Sequence, residues 1–419
     1  MIDAHPSGAM LNRPEPEPAC LLIADLSGYT GYLAAVELDH AQDILADLID
    51  TVVGALRPTF RLAKLEGDAA FMYAVTDTID GPALMDTVEH TYFAFRRRLR
   101  DIGQASTCDC NACMRIPNLD LKLLAHHGVV VRQRMAGREE LVGSDVIVAH
   151  RLLKNDIEAV TGIAAYAAYT GACIAAMSAD PVALGLIPHH QAYEHLGEVV
   201  LWVADLGAAW VAELDRARVT VPDGQVMLDF AYEMPAPPAI TWEYVTSPAR
   251  RPRWQHGVIK VVEELGNGRR GVGTVNHCVH GKDAVVEEIL DWRPYEYVTL
   301  DSILPIPGAP KLRSQEVFEP IGNDRTLVHY RFLRPRSAKD RAFFEAVLPQ
   351  IGPPFQAGVA SLVGVLADEM ARRRAENAAV EPDVPASSGR FLSEPVRTGR
   401  GPAGKAVPAP GVDSGPGRS

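Results

Sequence analysis

The stretch AKLEGDAAFMYA, residues 63–74, places Gly67 and Asp68 between two apolar runs. Gly-Asp is a common hairpin turn, and the flanking apolar residues are typical of strands. The stretch therefore predicts a β-hairpin that carries an acid, Asp68, at its tip. A functional role for this acid requires a second acidic group from elsewhere in the chain.

A second acid, Asp25, ends the first apolar run of the chain, in LLIADLSGYTGYL. If the two strands are neighbours in one sheet, both carboxylates project from the same end of that sheet. Two carboxylates with open coordination positions suit Mg²⁺, which prefers oxygen ligands and completes its octahedron with substrate phosphates. Two such ions can orient a hydroxyl attack on an α-phosphate and neutralise the leaving pyrophosphate. A metal site and a simple pair of strand-end acids both fit this spacing.

The chain has 419 residues, 47% of them hydrophobic, and a formal net charge of −12. This length predicts two or three domains with sizeable cores, and the negative charge argues against nucleic acid as the main partner. Two short basic clusters, 96–100 and Arg250–Arg253, are interpreted as solvated faces, although either could meet an anionic ligand. Six cysteines do not make a disulfide scaffold, so a cytoplasmic location is the expectation.

One uncharged stretch, Ala159–Met177, is long enough to suggest a membrane span. It consists mostly of Ala, with Thr, Gly and Tyr, so its insertion into a bilayer would be poor. A buried strand followed by a packed helix is the better interpretation. The first 18 residues are polar and proline-rich and do not resemble a signal peptide, so we expect no stable membrane insertion.

Composition divides the chain into two globular regions of different texture. Strand and helix signals alternate in the first region, whereas the second contains six strand-like runs and then a long helix from about 337 to 374, interrupted at Gly352-Pro353-Pro354. The predicted organisation is a disordered N-terminus (1–18), a first domain (19–215), a linker (216–224), a second domain (225–374) and a disordered tail (375–419).

Three segments, ADLSGYT at 24–30, KLEGDAAFM at 64–72 and LAHHGVVVRQRMAGREELVGSDVIVAHRL at 124–152, follow each other in the order of three elements of one family. On these elements, residues 19–205 resemble the catalytic domain of class III adenylyl and guanylyl cyclases. The resemblance implies an α+β, ferredoxin-like fold with a βαββαβ core. It also implies Asp25 and Asp68 as ligands of Mg²⁺ or Mn²⁺, and a site for an ATP-like nucleotide between the subunits of a homodimer.

The same resemblance implies roles for further residues, one position at a time. Lys64 matches the lysine that reads adenine, and Glu140 falls where an acid completes adenine recognition. Arg151 matches the arginine that stabilises charge on the phosphates in the transition state. The asparagine that positions the ribose is replaced by Ile147, whose hydrocarbon side chain cannot form a hydrogen bond.

A phosphate-binding lysine of the family has no counterpart here, because no lysine lies between Lys154 and Lys260. Arg216 and Arg218 lie past the strand concerned and are poor substitutes. The loss of one preorganised polar group commonly costs about 10²–10³ in rate. Two losses therefore predict little turnover, although metal and nucleotide binding could survive.

Three cysteines, Cys108, Cys110 and Cys113, lie within six residues and are followed by His126. Together these four side chains could hold Zn²⁺ or an Fe–S cluster, with the histidine as the fourth ligand. The C-x-C-x-x-C spacing is not that of a standard zinc knuckle, and the cluster is not a general cyclase feature. A redox-sensitive set of thiols and ordinary packing are the alternatives.

The strand succession and final helix of the second domain resemble the START/polyketide-cyclase (SRPBCC) superfamily, in which an antiparallel sheet wraps a long C-terminal helix in a helix-grip fold. The resemblance implies a cavity for a small hydrophobic ligand. Strand alternation in TVNHCVHG (274–281) puts Cys278 and His280 on one face, so these residues and Trp254 are candidates for the cavity wall. Histidines on the sheet surface and a tryptophan in the core are the plainer interpretation.

Three functions remain open on this evidence. The first is a signalling protein whose divergent cyclase domain binds nucleotide while the helix-grip domain senses a hydrophobic ligand. The second is a working adenylyl cyclase that makes cyclic AMP from ATP. The third is a carrier or polyketide-cyclase-like enzyme that uses the first domain as a scaffold. Ile147 and the absent lysine favour the first over the second, and the retained metal, adenine and phosphate residues favour both over the third.

Overall fold

The computed structural model describes residues 15–33, 38–105, 116–135, 137–266 and 268–380. These residues form two α+β domains, each built on one β-sheet. The cysteines of the 108–113 cluster lie outside the described residues, as do most of the two termini that were predicted to be disordered. The first strand begins at Glu17, two residues before the predicted start of the first domain.

The first domain opens with the βαββαβ unit that the cyclase resemblance implies. Its elements are β1 (Glu17–Ser27), α1 (Tyr29–Leu33), α2 (Leu38–Leu56), β2 (Arg61–Glu66), β3 (Ala69–Val75), α3 (Gly81–Ala105) and β4 (Asp120–Met135). The strands pair in the order β2-β3-β1-β4, and every pair is antiparallel. Because β1 and β3 are neighbours, the end of β1 lies beside the tip of the β2–β3 hairpin.

Further elements extend this sheet beyond β4. They are β5 (Arg138–Val142), α4 (Ser144–Leu152), α5 (Ile157–Thr161), β6 (Tyr166–Thr170), α6 (Gly171–Ala176), β7 (Ile187–Tyr193), β8 (Gly197–Asp205) and α7 (Leu206–Asp215). The elements β6 and α6 are the buried strand and packed helix predicted within 159–177. No helix in the described part of the chain is long and apolar enough to cross a membrane.

The strand β7 was not predicted, because the pattern after residue 143 was interpreted as helical. It is an edge strand of the sheet and pairs only with β8 among the described strands. Of its residues, His189 alone is fully buried, and Ile187 and Pro188 are exposed. An edge strand with so few buried positions lacks the apolar alternation that identifies a strand in a sequence.

Helices cover both faces of the first sheet. Leu22 of β1 packs in a core with Val52 of α2 and Tyr92 of α3, whereas Leu21 packs on the opposite face with Leu152 of α4. Because β1 is buried on both faces, its sequence is a continuous run of apolar residues and does not alternate between apolar and polar residues.

The second domain is an antiparallel sheet that packs against one long helix. Its elements are β9 (Val226–Met234), α8 (Pro238–Thr246), β10 (Lys260–Glu264), β11 (Val275–His280), β12 (Asp283–Arg293), β13 (Tyr297–Ile303), β14 (Leu312–Ile321), β15 (Arg325–Leu333) and α9 (Ala338–Val380). The strands follow the order β10-β11-β12-β13-β14-β15-β9. Val359, Leu362 and Leu366 of α9 belong to its core, so the predicted helix-grip fold is confirmed, with β9 as an additional strand.

The predicted interruption of the final helix at Gly352-Pro353-Pro354 is wrong, since α9 is helical from Ala338 to Val380. A proline inside a helix removes a backbone hydrogen bond and normally kinks or breaks it. Here the helix is held by its packing, because Phe355 and Val359 directly after the prolines contact the core of the second domain. Tertiary contacts of this kind routinely override local propensity.

The two domains contact each other through α3. The indole N–H of Trp292 donates to the buried carboxylate of Asp86, at 3.1 Å. Arg269 donates to both carboxylate oxygens of Glu89, at 2.8 and 2.6 Å. Buried polar contacts of this kind fix the orientation of α3 on the second domain.

Candidate functional site

The first candidate site is the pair of acids at one end of the first sheet. Asp25 lies opposite Ala69 in the β1–β3 register, and the backbone N–H of Leu26 donates to the carbonyl of Asp68 at 3.3 Å. Gly67 takes a φ of 67°, in the left-handed region that favours glycine, and makes the tight turn between β2 and β3. The structure therefore brings Asp25 and Asp68 together, as the sequence predicted.

Both carboxylates are half-buried, and neither makes an ion pair among the described residues. Burial raises the pKa of Asp25, the charge of Asp68 raises it further, and Lys122 opposes the rise. Burial also raises the pKa of Asp68, against the effect of a hydrogen bond from its own backbone N–H. Lys122, which faces Asp25 across the β1–β4 pair, is bound to Glu158 at 2.8 Å. The two acids are thus mutually destabilising without a cation between them.

The donor set of this pair fits a hard divalent cation. No group of three or more His, Cys, Asp or Glu side chains in the described ranges could hold a metal by itself. Two carboxylates at the ends of neighbouring strands are instead what Mg²⁺ uses when phosphates and water supply its other ligands. Asp25 and Asp68 would hold such an ion, which would supply charge neutralisation at the phosphates of a bound nucleotide.

Lys64 and Glu140 are the two residues matched to adenine recognition. In the described part of a single chain they form no hydrogen bond or ion pair with each other. Lys64 is exposed on β2 and forms an ion pair with Glu66 at 2.6 Å. Burial would raise the pKa of Glu66, but Lys64 and His150 outweigh burial and lower it. Glu140 lies on β5 opposite Gln133 of β4. A base could displace Lys64 from Glu66 at small cost, because such a surface pair contributes little.

Ile147 and Arg151 lie one turn apart on α4 and are both exposed, Ile147 by 57%. Arg151 donates to the carbonyl of Glu194 at 2.9 Å. No contact links either residue to the acid pair within the described chain.

The base of α4 is anchored to β4 through Asp145. Its carboxylate accepts a hydrogen bond from the backbone N–H of Val129 at 2.8 Å and lies 3.3 Å from Nε2 of His126. The other ring nitrogen of His126 is hydrogen-bonded to Thr170 at 3.0 Å. Both ring nitrogens of the predicted metal ligand are therefore engaged within the first domain, and the cysteines that would share the metal lie outside the described residues.

Arg216 and Arg218, the poor substitutes for the phosphate-binding lysine, lie at the interface between the two domains. Arg216 donates to the carbonyl of Trp292 at 2.6 Å and pairs with Glu213 at 2.9 Å. Arg218 lies 3.8 Å from Glu296. Neither arginine contacts the acid pair, so the missing lysine is not replaced by them within the described part of the chain.

The second candidate site is a cavity of about 410 Å³ between the sheet and α9 of the second domain. Its wall is mostly apolar, with aliphatic and aromatic side chains from β13, β14, β15 and α9. Representative lining residues are Leu300, Leu312, Phe332, Phe344, Leu348 and Phe355. A cavity of this size and lining is typical of a site for a small organic molecule.

Two of the three side chains predicted for this cavity lie in its wall, namely Trp254 and His280. The indole N–H of Trp254 donates to the carbonyl of Tyr244 at 2.8 Å, so its ring is fixed. Cys278 is not part of the wall and is completely buried. Burial raises the pKa of the Cys278 thiol to about 12, and Glu287 raises it while Arg251 opposes the rise. This thiol is therefore inert at neutral pH.

Sequence analysis missed the polar part of the cavity. Arg251, interpreted as part of a solvated basic face, is instead buried and donates to both carboxylate oxygens of Glu287, at 2.6 and 2.9 Å. Glu316 and Tyr330 also line the cavity. The available signal was an acid at an inward position of a strand, since Glu287 lies on the same face of β12 as the apolar Val285 and Ile289.

The two domains match different families of known proteins. Residues 45–161 match a family described as "Protein of unknown function (DUF2652)", and residues 227–367 match the family "Polyketide cyclase / dehydrase and lipid transport". The curated "Uncharacterized protein Rv2561/Rv2562" of Mycobacterium tuberculosis is 38% identical over 113 residues, which are 27% of this chain and 52% of that protein. The chain thus spans about half the length of this relative.

Solved structures similar to this chain fall into two groups. A bacterial light-regulated adenylyl cyclase shares 10% identity with a TM-score of 0.35, over 47% of this chain and 54% of its own. The adenylyl cyclase CyaB from P. aeruginosa shares 13% identity with a TM-score of 0.33, over 46% of this chain and 95% of its own. A Thermobifida fusca protein solved by NMR shares 18% identity with a TM-score of 0.28, over 34% of this chain and 93% of its own. These values are too low to assign an activity.

The strand order and the two-acid hairpin describe the first domain, and the family match describes the second. The chain joins a first domain with a βαββαβ unit and a two-acid hairpin to a second domain whose residues 227–367 match the polyketide cyclase / dehydrase and lipid transport family.

Proposed function

We propose that this protein is a ligand-responsive regulator that binds a divalent metal and a nucleotide in its first domain and a small hydrophobic molecule in its second. The observation that carries the proposal is the pair of half-buried, unpaired carboxylates of Asp25 and Asp68. Two like charges held together without a cation cost stability. Such an arrangement is explained by a ligand that brings positive charge to the site.

Turnover is proposed to be slow, because two polar groups of the cyclase reaction are absent. Ile147 presents only hydrocarbon where the ribose requires a hydrogen-bonding partner. The phosphate-binding lysine is missing, and Arg216 is engaged with Trp292 and Glu213 instead. Each loss is worth about 10²–10³ in rate. An adenylyl cyclase that makes cyclic AMP is the second candidate, favoured by the retention of Lys64 and Arg151.

The nucleotide site is proposed to form between two copies of the chain. Arg151 and the acid pair have no contact within one described chain, so a partner subunit must complete the site. Leu65, Val142 and Ile147, on β2, β5 and α4, are exposed by 53%, 39% and 57%. Apolar side chains of this size at the surface are suited to an interface.

The experiment that tests this function is calorimetric titration of the full chain with a non-hydrolysable ATP analogue and with GTP, in Mn²⁺, together with an assay for cyclic nucleotide. Wild type is compared with Asp25→Ala and with Asp43→Ala, an exposed acid of α2 away from the pair. Binding that is lost at least tenfold in Asp25→Ala and kept in Asp43→Ala, without product, supports the regulator. Binding with cyclic AMP formation supports the enzyme instead. No binding to either nucleotide contradicts both and leaves the first domain as a scaffold.

A further inference from the structure

The polar part of the second domain's cavity contains two side chains that face each other across a strand pair. Glu316 of β14 lies directly opposite Tyr330 of β15 in the antiparallel register, and both line the cavity. Side chains directly opposite each other on one face of a sheet have Cβ atoms about 4.5–5.5 Å apart. The two polar side chains are therefore neighbours in the wall of the cavity.

The hydroxyl of Tyr330 has no hydrogen-bond partner among the described residues, although its side chain is only 2% exposed. A buried hydroxyl without a partner is costly, and such groups are nearly always satisfied by protein, water or ligand. Because this hydroxyl faces a cavity, a bound molecule can supply the missing acceptor.

The electrostatics of the cavity favour the protonated form of the Glu316 carboxyl group. Burial raises the pKa of Glu316 to about 8, with Glu287 adding to the rise and Arg251 opposing it. A protonated carboxyl carries one O–H donor. The two adjacent groups thus offer two donors to one position in the cavity.

The described cavity wall does not offer a free guanidinium or ammonium group to an acidic ligand. Arg251 is the only arginine, and there is no lysine, among the described residues of the cavity wall. Its guanidinium binds Glu287 through two hydrogen bonds, so the two charges compensate each other. A carboxylate ligand would therefore lose its hydration without gaining a guanidinium or ammonium partner.

We propose that the cavity binds an apolar molecule that carries a neutral carbonyl oxygen, which accepts hydrogen bonds from the Tyr330 hydroxyl and the Glu316 carboxyl. A carbonyl oxygen has two lone pairs and can accept both bonds. The cavity of about 410 Å³ and its Leu and Phe side chains would hold the hydrocarbon body. This inference rests on the proposed ligand binding of the second domain and specifies its chemistry.

The inference predicts that affinity depends on pH with a definite sign. Binding is full while Glu316 is protonated and weakens as the pH rises through about 8, because a carboxylate repels the carbonyl oxygen. The groups of neighbouring elements that face Glu316 are Arg251, Glu287 and Tyr330, and His256 and His280 complete the titratable part of the wall. Glu316→Gln keeps an N–H donor that does not titrate, so its binding is expected to stay constant from pH 6.5 to 9.

The test uses three probes of matched shape, 2-acetylnaphthalene, 2-ethylnaphthalene and 2-naphthoate, titrated into the full chain by calorimetry. The ketone is expected to bind about tenfold more tightly than the hydrocarbon or the acid at pH 6.5, and to lose that advantage at pH 9. Tyr330→Phe is expected to remove most of the advantage. Controls are Tyr232→Phe, a neighbouring tyrosine outside the cavity wall, and Glu319→Gln, an exposed acid of β14.

Equal affinity for the ketone and the hydrocarbon overturns the inference and leaves the ligand site of the second domain intact. Tight binding of 2-naphthoate, or ketone binding that does not change with pH in wild type, also overturns it. If none of the three probes binds, both the inference and the proposed ligand site fail. Nucleotide titration of the same sample reports on the first domain independently. Thermal unfolding of each variant confirms that it is folded.

Discussion

The position of α4 depends on a single glycine. A Cβ atom added at Gly128 would lie 2.4 Å from Cγ of Asp145. Asp145 cannot retreat freely, because it accepts a hydrogen bond from Val129 and lies beside His126. The pattern HHG followed later by GSD is therefore a packing requirement between β4 and α4, quite apart from any catalytic role.

Gly128→Ala is expected to lower the free energy of unfolding by about 1–3 kcal/mol, since overpacking forces the side chain or the backbone to shift. Chemical denaturation followed by far-UV circular dichroism measures this. The control is Gly103→Ala in α3, where a Cβ meets nothing within 4 Å. That substitution is expected to stabilise by up to about 1 kcal/mol through helix propensity. Equal effects of the two substitutions would contradict the packing argument.

Ile147 gives a prediction for activity rather than stability. Because its side chain is largely exposed on α4, Ile147→Asn changes little in the fold and supplies a hydrogen-bonding partner for a ribose. The rate of cyclic AMP formation from ATP in Mn²⁺ is expected to rise by up to about a hundredfold. Ile147→Ala is the matched control, since it removes the hydrocarbon without adding a polar group. An Asn variant that is no faster than the Ala variant, with nucleotide still bound, would show that Ile147 does not limit turnover.

Among the secondary-structure elements, those with strong local signals were predicted from the sequence. The β2–β3 hairpin, the β6–α6 pair and six of the seven strands of the second sheet were predicted from Gly turns and apolar patterns. The edge strands β7 and β9 were not, since an edge strand needs little burial and shows little alternation. The continuity of α9 through its prolines was not predictable either, because it depends on packing against a sheet that is distant in sequence.

The prolines of α9 make a prediction about local opening. Pro353 removes one helical hydrogen bond beside Ile351 and Phe355, which line the ligand cavity. Pro353→Ala restores that bond, and it is expected to slow amide hydrogen exchange across residues 343–356 and to stabilise the helix by up to about 3 kcal/mol. Pro310→Ala, in the loop before β14, is the control and should leave this exchange unchanged. Unaltered exchange in the helix variant would mean that packing alone sets its stability.

In the whole molecule, the arrangement of charges was the least predictable feature. Arg251 was interpreted as solvated from its neighbours in sequence, yet it is buried against Glu287 of β12. Asp86 and Trp292 likewise meet only because α3 packs on the second domain. Partners separated by tens or hundreds of residues leave no local pattern, whereas the acid pair was found because each acid lies in a recognisable motif.

The contact between domains makes stability depend on pH through Asp86. Burial raises the pKa of Asp86 from 3.8 to about 7, Glu89 adds to the rise, and Arg269, Arg270 and the bond from Trp292 oppose it. Between about pH 4 and pH 7 the folded chain therefore keeps a proton that the unfolded chain releases. Stability falls as the pH rises through this window and stays lower above it.

Asp86→Asn removes the titrating group and keeps an oxygen that accepts the indole N–H of Trp292. The advantage of the variant over wild type is expected to grow by on the order of 2–4 kcal/mol between pH 5 and pH 8. Urea unfolding followed by tryptophan fluorescence at both pH values measures the difference. Glu89→Gln is the control, because weakening its paired bonds to Arg269 should destabilise the chain at both pH values. If Asp86→Asn instead lost stability equally at pH 5 and pH 8, the charge of Asp86 would be required at the interface, and its burial would not be the dominant effect.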